Sequence, residues 1–331
     1  MTNVDLSYED LATRDKVAIF RMLVSTDQEI HALLARDAIE STLVDRLAFW
    51  LRLRAALAGV KGMILGISGG VDSATVAALL ERATPGANRY YFLPCQSVAE
   101  DAECARLVAD TLGITLETAD LGPLYEMACA ALGTQPQDEA PLHQINLKAM
   151  LRAVFLNTSG IRHWMMVAGT GNRSEIEHAG YFALRGDGAV DCEVLGYLFK
   201  RQVVEVGRLL GLPRRILERP PTHGLVRRAD GTTLTDEESM GISYADIETA
   251  TRLFMEFGRD LDNLARAAIE RHGDDAERIL TVCRKLGTLS WQNRYKSEPM
   301  PVAGCPHKSV PLLDDYPRGF PVPGELARWT W

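Results

Sequence analysis

The stretch that most constrains the fold of this chain spans residues 63–80. Its apolar start, residues 63–67, is interrupted by Ser68, Gly69 and Gly70, and helix-forming residues with apolar positions at helical spacing resume at Ser73. This pattern predicts a buried strand, a glycine turn and a helix in immediate succession. Such a turn collects unpaired backbone N–H groups at the positive end of a helix dipole, which favours the binding of a phosphate group.

The turn differs from the two common phosphate-binding motifs. No Gly-Lys-Ser/Thr follows it, which excludes a Walker A loop, and its spacing is not G-x-G-x-x-G. Two glycines let the backbone approach a pyrophosphate closely, Ser68 and Ser73 add hydroxyl donors, and Asp72 can hold Mg²⁺ against phosphate oxygens. The alternative interpretation is a strand-to-helix turn whose glycines serve packing only.

Runs typical of strands alternate with runs typical of helices beyond the turn, at residues 89–94, 99–113, 114–119, 146–157 and 163–169. Apolar residues at helical spacing predict one or two further helices within residues 27–58. Alternation at this interval predicts right-handed βαβ units, so the expected fold class is α/β with a doubly wound, mainly parallel sheet. Ligands bind beyond the carboxyl ends of such strands, where residues 68–73 and 94–97 should face one pocket.

Charge and cysteine content limit the classes of function. A formal net charge of -8 and a pI near 5.5 argue against a nucleic-acid-binding surface, which needs clustered Lys and Arg. The six cysteines include no C-x-x-C pair, so neither a disulfide framework nor a zinc ribbon is predicted. The acidic start lacks an apolar signal segment and no run is long enough to span a bilayer, so we expect a soluble cytoplasmic protein without membrane or nucleic-acid partners.

The loop from Ser68 to Ser73 resembles the Ser-Gly-Gly-x-Asp-Ser loop of the ATP pyrophosphatase superfamily, whose members cleave ATP between the α- and β-phosphates. Six further elements are similar, in order, to the signature of NAD synthetases: Gly169-Thr-Gly-Asn-Arg-Ser-Glu175, Gly180-Tyr-Phe with Gly186-Asp-Gly-Ala-Val-Asp191, Leu198-Phe-Lys-Arg-Gln-Val203, Pro220-Pro-Thr222, Asp236-Glu-Glu, and Gly241-Ile-Ser-Tyr244. Each element is weak alone, but their order makes the resemblance strong. It implies an adenine nucleotide alpha hydrolase-like fold with a helical carboxy-terminal part.

The resemblance also implies an activity and partners. NAD synthetases adenylate the carboxylate of nicotinic acid adenine dinucleotide with ATP, release pyrophosphate, and let ammonia displace AMP. No glutaminase-like region precedes Ser68, so ammonia or another amine would come from a separate source. The family further implies a homodimer, and we expect residues 27–53 to offer it an apolar helical surface.

Individual roles follow from the same resemblance. The ATP site would be formed by Gly66, Ser68, Gly69, Gly70, Asp72, Ser73, Thr170, Lys200 and Thr222. Of these, Asp72, Lys200 and Thr222 would take part in catalysis, and Asp72 and Glu175 would bind Mg²⁺. Adenylation builds negative charge on the bridging oxygen of ATP, and positively charged groups such as Lys200 and Mg²⁺ would stabilise that charge where it develops. Taken alone, Lys200 could equally be an exposed helix lysine and Glu175 a first-turn helix carboxylate.

The acid-substrate pocket would be lined by Asn146, Met150, Leu184, Arg185, Asp191, Tyr295 and Lys296, and here the chain departs from the family. The family has arginine at the position of Met150, lysine at that of Leu184, and a His-Lys-Arg where this chain has Tyr295, Lys296 and Ser297. Each lost charge-assisted bond to phosphate costs about 1.5–3 kcal/mol. We therefore expect a carboxylic acid other than the dinucleotide, unless Arg152 or Arg185 compensates. The alternative is ammonia-dependent NAD synthesis.

Other classes of function and the domain division complete the expectations. A non-catalytic nucleotide-binding protein has no need of a metal-holding pair, and sulfur-transfer relatives need a poised cysteine pair, which the sequence lacks. Among the dispersed histidines, only His223, beside Thr222, adjoins a predicted site residue. We expect an amino-terminal arm at residues 1–25, one domain at 26–301 and an extension at 302–331.

Overall fold

The computed structural model describes residues 6–137, 141–222, 233–293 and 296. Their contacts group into two compact units. The first unit contains the described residues up to Asn172 and those from Ala183 to Asp236. The second contains Arg173–Phe182 and the described residues from Glu237 onward. The chain enters the second unit twice, so neither unit is one continuous piece of sequence.

Three helices precede the sheet. Helix α1 (Tyr8–Ala12) begins with a capping box made by Ser7 and Asp10, and it is followed by α2 (Lys16–Ala35) and α3 (Ser41–Ala58). Their side chains share one buried cluster, which includes Leu11, Ile19, Leu23, Phe49 and Leu53. Residue 25, where the predicted arm ends, lies within α2. The division of the chain at residues 25 and 301 remains a prediction.

The helices predicted at residues 27–58 are confirmed, but their apolar residues do not form a free surface. The main core cluster of the first unit buries Ile30, Leu33, Leu34, Leu43, Leu47 and Leu51. The expectation that residues 27–53 offer apolar surface to a second copy is wrong for these side chains, because the chain's own core already covers them. The homodimer itself remains a prediction.

Five parallel strands form the sheet of the first unit: β1 (Met63–Gly66), β2 (Arg89–Phe92), β3 (Leu116–Thr118), β4 (Met166–Gly169) and β5 (Cys192–Glu193). Their order is β3-β2-β1-β4-β5, and Ile64 of β1 pairs with both Arg89 and Val167. The direction of winding reverses between β1 and β4, which opens a crevice at the carboxyl ends of these strands. The predicted doubly wound parallel sheet is confirmed, with β5 as an unpredicted edge strand.

The sheet is flanked by α4 (Val71–Ala83), α5 (Ala99–Leu112), α6 (Gly122–Ala131), α7 (Leu142–His163), α8 (Lys200–Leu209) and α9 (Arg214–Leu217). Helix α7 is longer than the predicted helix at 146–157. Its last turn carries Arg162 and His163, which suit the negative end of a helix dipole, and it ends where Trp164 takes a left-handed conformation with φ 58°. The fourth strand therefore begins at Met166 rather than at His163.

Helices dominate the carboxy-terminal part: a π-helix (Ser174–Ala179), α10 (Asp236–Met240), α11 (Tyr244–Phe257), α12 (Leu261–His272) and α13 (Ala276–Asn293). Ser243 and Asp260 cap α11 and α12 by accepting backbone N–H groups. A second core contains Ile247, Leu253, Leu264, Ile279 and Leu286. The predicted helical carboxy-terminal part is confirmed. Within the described residues, no helix is both long and apolar enough to cross a bilayer.

Candidate active site

The glycine turn lies at the carboxyl end of β1, directly before α4. Gly69 has φ +87°, a left-handed conformation that glycine adopts without strain. A Cβ at this position would lie 2.7 Å from the backbone oxygen of Asp101 and 2.9 Å from the Cβ of Cys104. The turn therefore requires glycine at position 69 for its conformation and for its close packing against α5.

The two serines of the loop bond to each other and to its backbone. The Oγ atoms of Ser68 and Ser73 lie 3.1 Å apart, and the Ser73 hydroxyl donates to the carbonyl oxygen of Gly70 at 3.1 Å. The backbone N–H groups of Ser68 and Gly70 donate to the hydroxyls of Ser73 and Ser68, at 3.2 and 3.3 Å. These bonds fix the shape of the loop. The predicted contacts of both hydroxyls with phosphate remain predictions.

Asp72, in the first turn of α4, receives hydrogen bonds from two distant parts of the first unit. The ammonium group of Lys200, at the start of α8, donates to Oδ2. The carboxamide of Asn172, after β4, donates to Oδ1 at 3.1 Å. The side chains of Lys200 and Asp72 are 7% and 18% exposed, and Asn172 is fully buried. The structure thus brings Asp72 and Lys200 together as the sequence predicts, and it makes Lys200 a buried helix lysine.

Two partners in this arrangement were not predicted from the sequence. Asn172 stands inside the recognised motif without a role of its own, and Glu193 ends the short strand β5. The Glu193 carboxylate accepts the backbone N–H of Gly171 at 2.8 Å, and a Cβ at Gly169 would overlap that carboxylate. The glycines at 169 and 171 are the signal that could have indicated a side chain packed against this backbone.

The remaining predicted ATP residues also lie in the first unit. Gly66 ends β1, and a Cβ there would meet Leu156 of α7 at 3.4 Å. Thr170 is half-buried and directly follows β4. Thr222 is half-buried after two prolines, and the preceding carbonyl oxygen of Pro221 accepts the N–H of Asp236 at 3.0 Å. His223 lies outside the described residues.

The predicted acid-pocket residues Asn146, Met150, Leu184, Arg185 and Asp191 lie in the first unit. Met150 and Asn146 are half-buried on α7, and a Cβ at Gly186 would lie 2.6 Å from the Cβ of Ala149. This close approach brings the segment with half-buried Leu184 and exposed Arg185 against α7, as predicted. Asp191 accepts the N–H of Val167 at 2.7 Å, which joins it to β4.

Lys296 belongs to the second unit. Its ammonium group donates to the carbonyl oxygens of Gly180 and Phe182 at 2.6 and 2.9 Å. Tyr295 and Ser297 lie outside the described residues. The role of Lys296 toward an acid substrate stays a prediction.

Glu175 lies in the π-helix of the second unit. The hydroxyl of Tyr244 donates to its Oε1 at 2.8 Å, and the N–H of Tyr181 donates to its carbonyl oxygen at 2.9 Å. Nearby, burial lowers the pKa of His178 to about 4, against an opposing effect of Glu177, so this histidine is neutral at pH 7. Glu175 lies in the first turn of this helix, as the alternative interpretation has it, and π-helices are frequent at functional sites. Its predicted role as a magnesium ligand stays a prediction.

Burial disfavours the thiolate form of four of the described cysteines. Burial raises the pKa of Cys95 and Cys104, and it raises those of Cys192 and Cys283 to about 12 and about 11. A thiol with a raised pKa carries little thiolate at pH 7, and the thiolate is the nucleophilic form. These four cysteines are core residues.

Asp72 offers oxygen ligands of the kind that Mg²⁺ prefers. A carboxylate oxygen can accept more than one bond, so the two hydrogen bonds from Lys200 and Asn172 do not exhaust its capacity. Its side chain is also partly open to solvent at the start of a helix that suits phosphate. The donor set around Asp72 therefore fits a magnesium ion that is shared with phosphate oxygens.

Known proteins resemble this chain over most of its length. The sequence model of the family described as NAD synthase matches residues 43–288. The ammonia-dependent NAD synthetase of Carboxydothermus hydrogenoformans is 38% identical over 205 residues, which are 62% of this chain and 82% of that protein. The corresponding enzyme of Methanosarcina acetivorans is 34% identical over 263 residues, 78% of this chain and 96% of that protein. Among solved structures, the NMN synthetase from Francisella tularensis is 26% identical with a TM-score of 0.64, covering 79% of this chain and 97% of that chain.

Proposed function

The chain belongs to the NAD synthase family, and we propose that it amidates nicotinic acid adenine dinucleotide with ammonia to form NAD. It is an ATP-dependent carbon–nitrogen ligase whose reaction converts ATP to AMP and pyrophosphate. The observation that carries the proposal is the meeting of Asp72, Lys200 and the glycine loop at the carboxyl end of β1. Magnesium and a homodimer are typical of the family and are part of the proposal.

The proposed substrate is the dinucleotide and not the different carboxylic acid that we expected from the departures of this sequence from the family. The relatives that cover most of this chain are named as ammonia-dependent NAD synthetases, so neutral residues at positions 150 and 184 are no sufficient sign of another acid. A physical reason lies on α7, two residues beyond Met150. The guanidinium of Arg152 donates to the carbonyl oxygen of Leu93 at 3.1 Å and to the Ser97 hydroxyl at 3.4 Å. This cation at the end of β2 is available to compensate for a lost positive charge.

The chemistry divides between the loop and the charged pair. A carboxylate oxygen of the acid attacks the α-phosphorus of ATP and pyrophosphate leaves; ammonia then attacks the carboxyl carbon and AMP leaves. In the proposal, the N–H groups at the start of α4 bind the leaving pyrophosphate, and Lys200 neutralises part of its developing charge. Asp72 and Glu175 would hold a magnesium ion, which would supply further positive charge to the phosphate groups when bound. Thr222 and Thr170 contribute hydroxyl groups to the ATP site.

Product analysis tests the proposal directly. Purified protein is incubated with ATP, Mg²⁺, ammonium and the dinucleotide acid, and nucleotides are separated by chromatography. We expect AMP, pyrophosphate and NAD in equal amounts. When the acid is omitted, we expect neither AMP formation nor exchange of pyrophosphate into ATP. Formation of ADP and orthophosphate would contradict the reaction itself.

A substrate panel separates the reaction from the choice of acid. Nicotinic acid mononucleotide is offered beside the dinucleotide, because one similar structure is an NMN synthetase. Small carboxylic acids are offered as further acid substrates, and glutamine is offered in place of ammonium. Preferred turnover of another acid, with AMP and pyrophosphate as products, would contradict the proposed substrate and leave the reaction class standing.

Replacing Glu175 tests its proposed role toward magnesium. Glu175→Gln keeps an oxygen acceptor for the Tyr244 hydroxyl but removes the negative charge that a magnesium ion needs. We expect AMP formation to fall about a hundredfold, with a higher Mg²⁺ concentration needed for half-maximal rate. Glu177→Gln is the matched control, since Glu177 lies in the same π-helix and pairs with Arg173. Equal turnover and equal Mg²⁺ dependence in the two variants would show that Glu175 is not a magnesium ligand.

A further inference from the structure

A buried ion pair lies behind the glycine loop. The guanidinium of Arg219 donates from Nη2 to Oδ1 of Asp101 at 2.6 Å, and their side chains are 11% and 9% exposed. Glu100 lies farther away, with an oxygen 3.7 Å from the same nitrogen. Arg219 follows α9, whereas Asp101 stands in the first turn of α5. A buried arginine is retained where its rigid set of donors satisfies several acceptors at once.

The second acceptor of Arg219 belongs to the loop itself. Its Nη1 donates to the carbonyl oxygen of Gly69 at 3.3 Å. The N–H on the opposite side of the same peptide group, that of Gly70, donates to the Ser68 hydroxyl at 3.3 Å. Both polar ends of the Gly69–Gly70 peptide are therefore bonded within the first unit.

Glycine makes such bonding necessary. A peptide group flanked by two glycines rotates more easily than others, because neither residue has a Cβ to exclude the alternative φ and ψ values. A flip of the Gly69–Gly70 peptide would turn a carbonyl oxygen toward the side of the Ser68 hydroxyl, where the proposed function places pyrophosphate, and turn an N–H away from that side. A carbonyl oxygen repels a phosphate oxygen, so the flipped loop would bind pyrophosphate poorly.

We propose that Arg219 is a positioning residue that locks the Gly69–Gly70 peptide in the orientation that binds pyrophosphate. The inference rests on the proposed function, which places the leaving pyrophosphate at this loop. Arg219 reaches no reacting atom in the proposal; it acts through the Gly69 carbonyl. The same guanidinium ties the segment that carries Thr222, three residues further on, to the loop and to α5.

The variants separate this role from general support of the fold. Arg219→Met removes both hydrogen bonds, and Arg219→Lys keeps the charge with fewer donors. Arg215→Met is the matched control, because Arg215 on α9 pairs with Glu103 on α5, and both side chains are 53% exposed. It breaks an ion pair between α9 and α5 without touching the loop.

Steady-state kinetics give the main readout. For Arg219→Met we expect the KM for ATP to rise and kcat to fall, each by about tenfold, with the KM for the acid substrate changed less than about twofold. Arg219→Lys should lie between Arg219→Met and the unaltered protein, and Arg215→Met should match the unaltered protein. Equal changes in both KM values, or ATP kinetics in Arg219→Met equal to those of Arg215→Met, would overturn the proposal. If Arg219→Met does not fold, the same criteria apply to Arg219→Lys.

A binding measurement keeps this inference distinct from the proposed function. Titration calorimetry with inorganic pyrophosphate and Mg²⁺ measures the loop without any turnover. We expect binding by the unaltered protein and by Arg215→Met, and binding at least about tenfold weaker by Arg219→Met. If no acid substrate is turned over but pyrophosphate binding shows these differences between the variants, the proposed function alone is rejected. Equal pyrophosphate affinities of the unaltered protein and Arg219→Met would reject the role of Arg219.

Discussion

Asp72→Asn is expected to lower the rate of AMP formation by about a thousandfold, at the upper end of what one transition-state charge contact contributes. Asparagine has nearly the same shape and still accepts a bond from Lys200, so the packing at the start of α4 is kept. It carries no negative charge for a magnesium ion, and it removes the carboxylate charge that Asp72 presents to the buried ammonium of Lys200. Both losses act on the step in which pyrophosphate leaves.

The measurement is release of pyrophosphate at saturating ATP and acid over a range of Mg²⁺ concentrations. Thermal unfolding shows in parallel that the variant is folded. Asp110→Asn, which neutralises an exposed carboxylate on α5, is the control and should retain normal turnover. Near-normal turnover of Asp72→Asn at high Mg²⁺ would remove Asp72 from the magnesium site.

Lys200→Met is expected to reduce turnover by a similar factor, about a thousandfold, and also to destabilise the protein. Methionine retains an apolar stem in a site that is 7% exposed, but among the described residues the carboxylate of Asp72 then keeps only the bond from Asn172, besides solvent. Breaking a well-buried pair costs roughly 3–5 kcal/mol; because Asp72 is partly exposed, we expect about 2 kcal/mol.

The double variant distinguishes the two effects of Lys200. Asp72→Asn removes the unbalanced charge that Lys200→Met leaves, so the combined variant should regain part of the unfolding free energy and none of the activity. Denaturant unfolding and pyrophosphate release are measured on the two single variants and the double. Arg201→Met, on the next residue of α8, is the control, since Arg201 pairs with Asp37 at an exposed position. Additive stabilities would show that Asp72 and Lys200 are not coupled.

The loop and the strands around it could be predicted because each has a strong local signal. An apolar strand, two glycines and a helix are consecutive in the sequence, and the parallel sheet follows from the alternation of such units. The meeting of Asp72 and Lys200 has no local signal; the resemblance to NAD synthetases supplied it. Long helix α7 was underestimated because Asn157, Ser159 and Gly160 resemble the end of a helix, whereas the helix continues through them to His163.

The residues that escaped prediction depend on contacts rather than on pattern. Strand β5 has two residues, too few for alternation to indicate a strand, so Glu193 at its end had no assigned position. Arg219 looks like one of many surface arginines until α5 places Asp101 beside it, 118 positions earlier in the chain. The apolar residues of α2 and α3 were wrongly expected to face a second copy of the chain. Periodicity shows that a helix face is covered, but not whether the chain's own core or a partner covers it.

The pairing of β1 with β4 bears on how the protein is made. Asp72 is joined to Asn172 and Lys200 across 100 and 128 positions of sequence. Closing so long a loop adds little free-energy cost compared with a shorter one, but contacts of such high sequence separation form slowly. During synthesis the glycine loop, β2 and β3 emerge before β4 and α8, so an early intermediate contains the loop with a carboxylate that has neither partner. In the proposed mechanism the growing chain becomes competent for catalysis only after α8 has been made, so we expect an amino-terminal fragment that stops before Lys200 to be inactive.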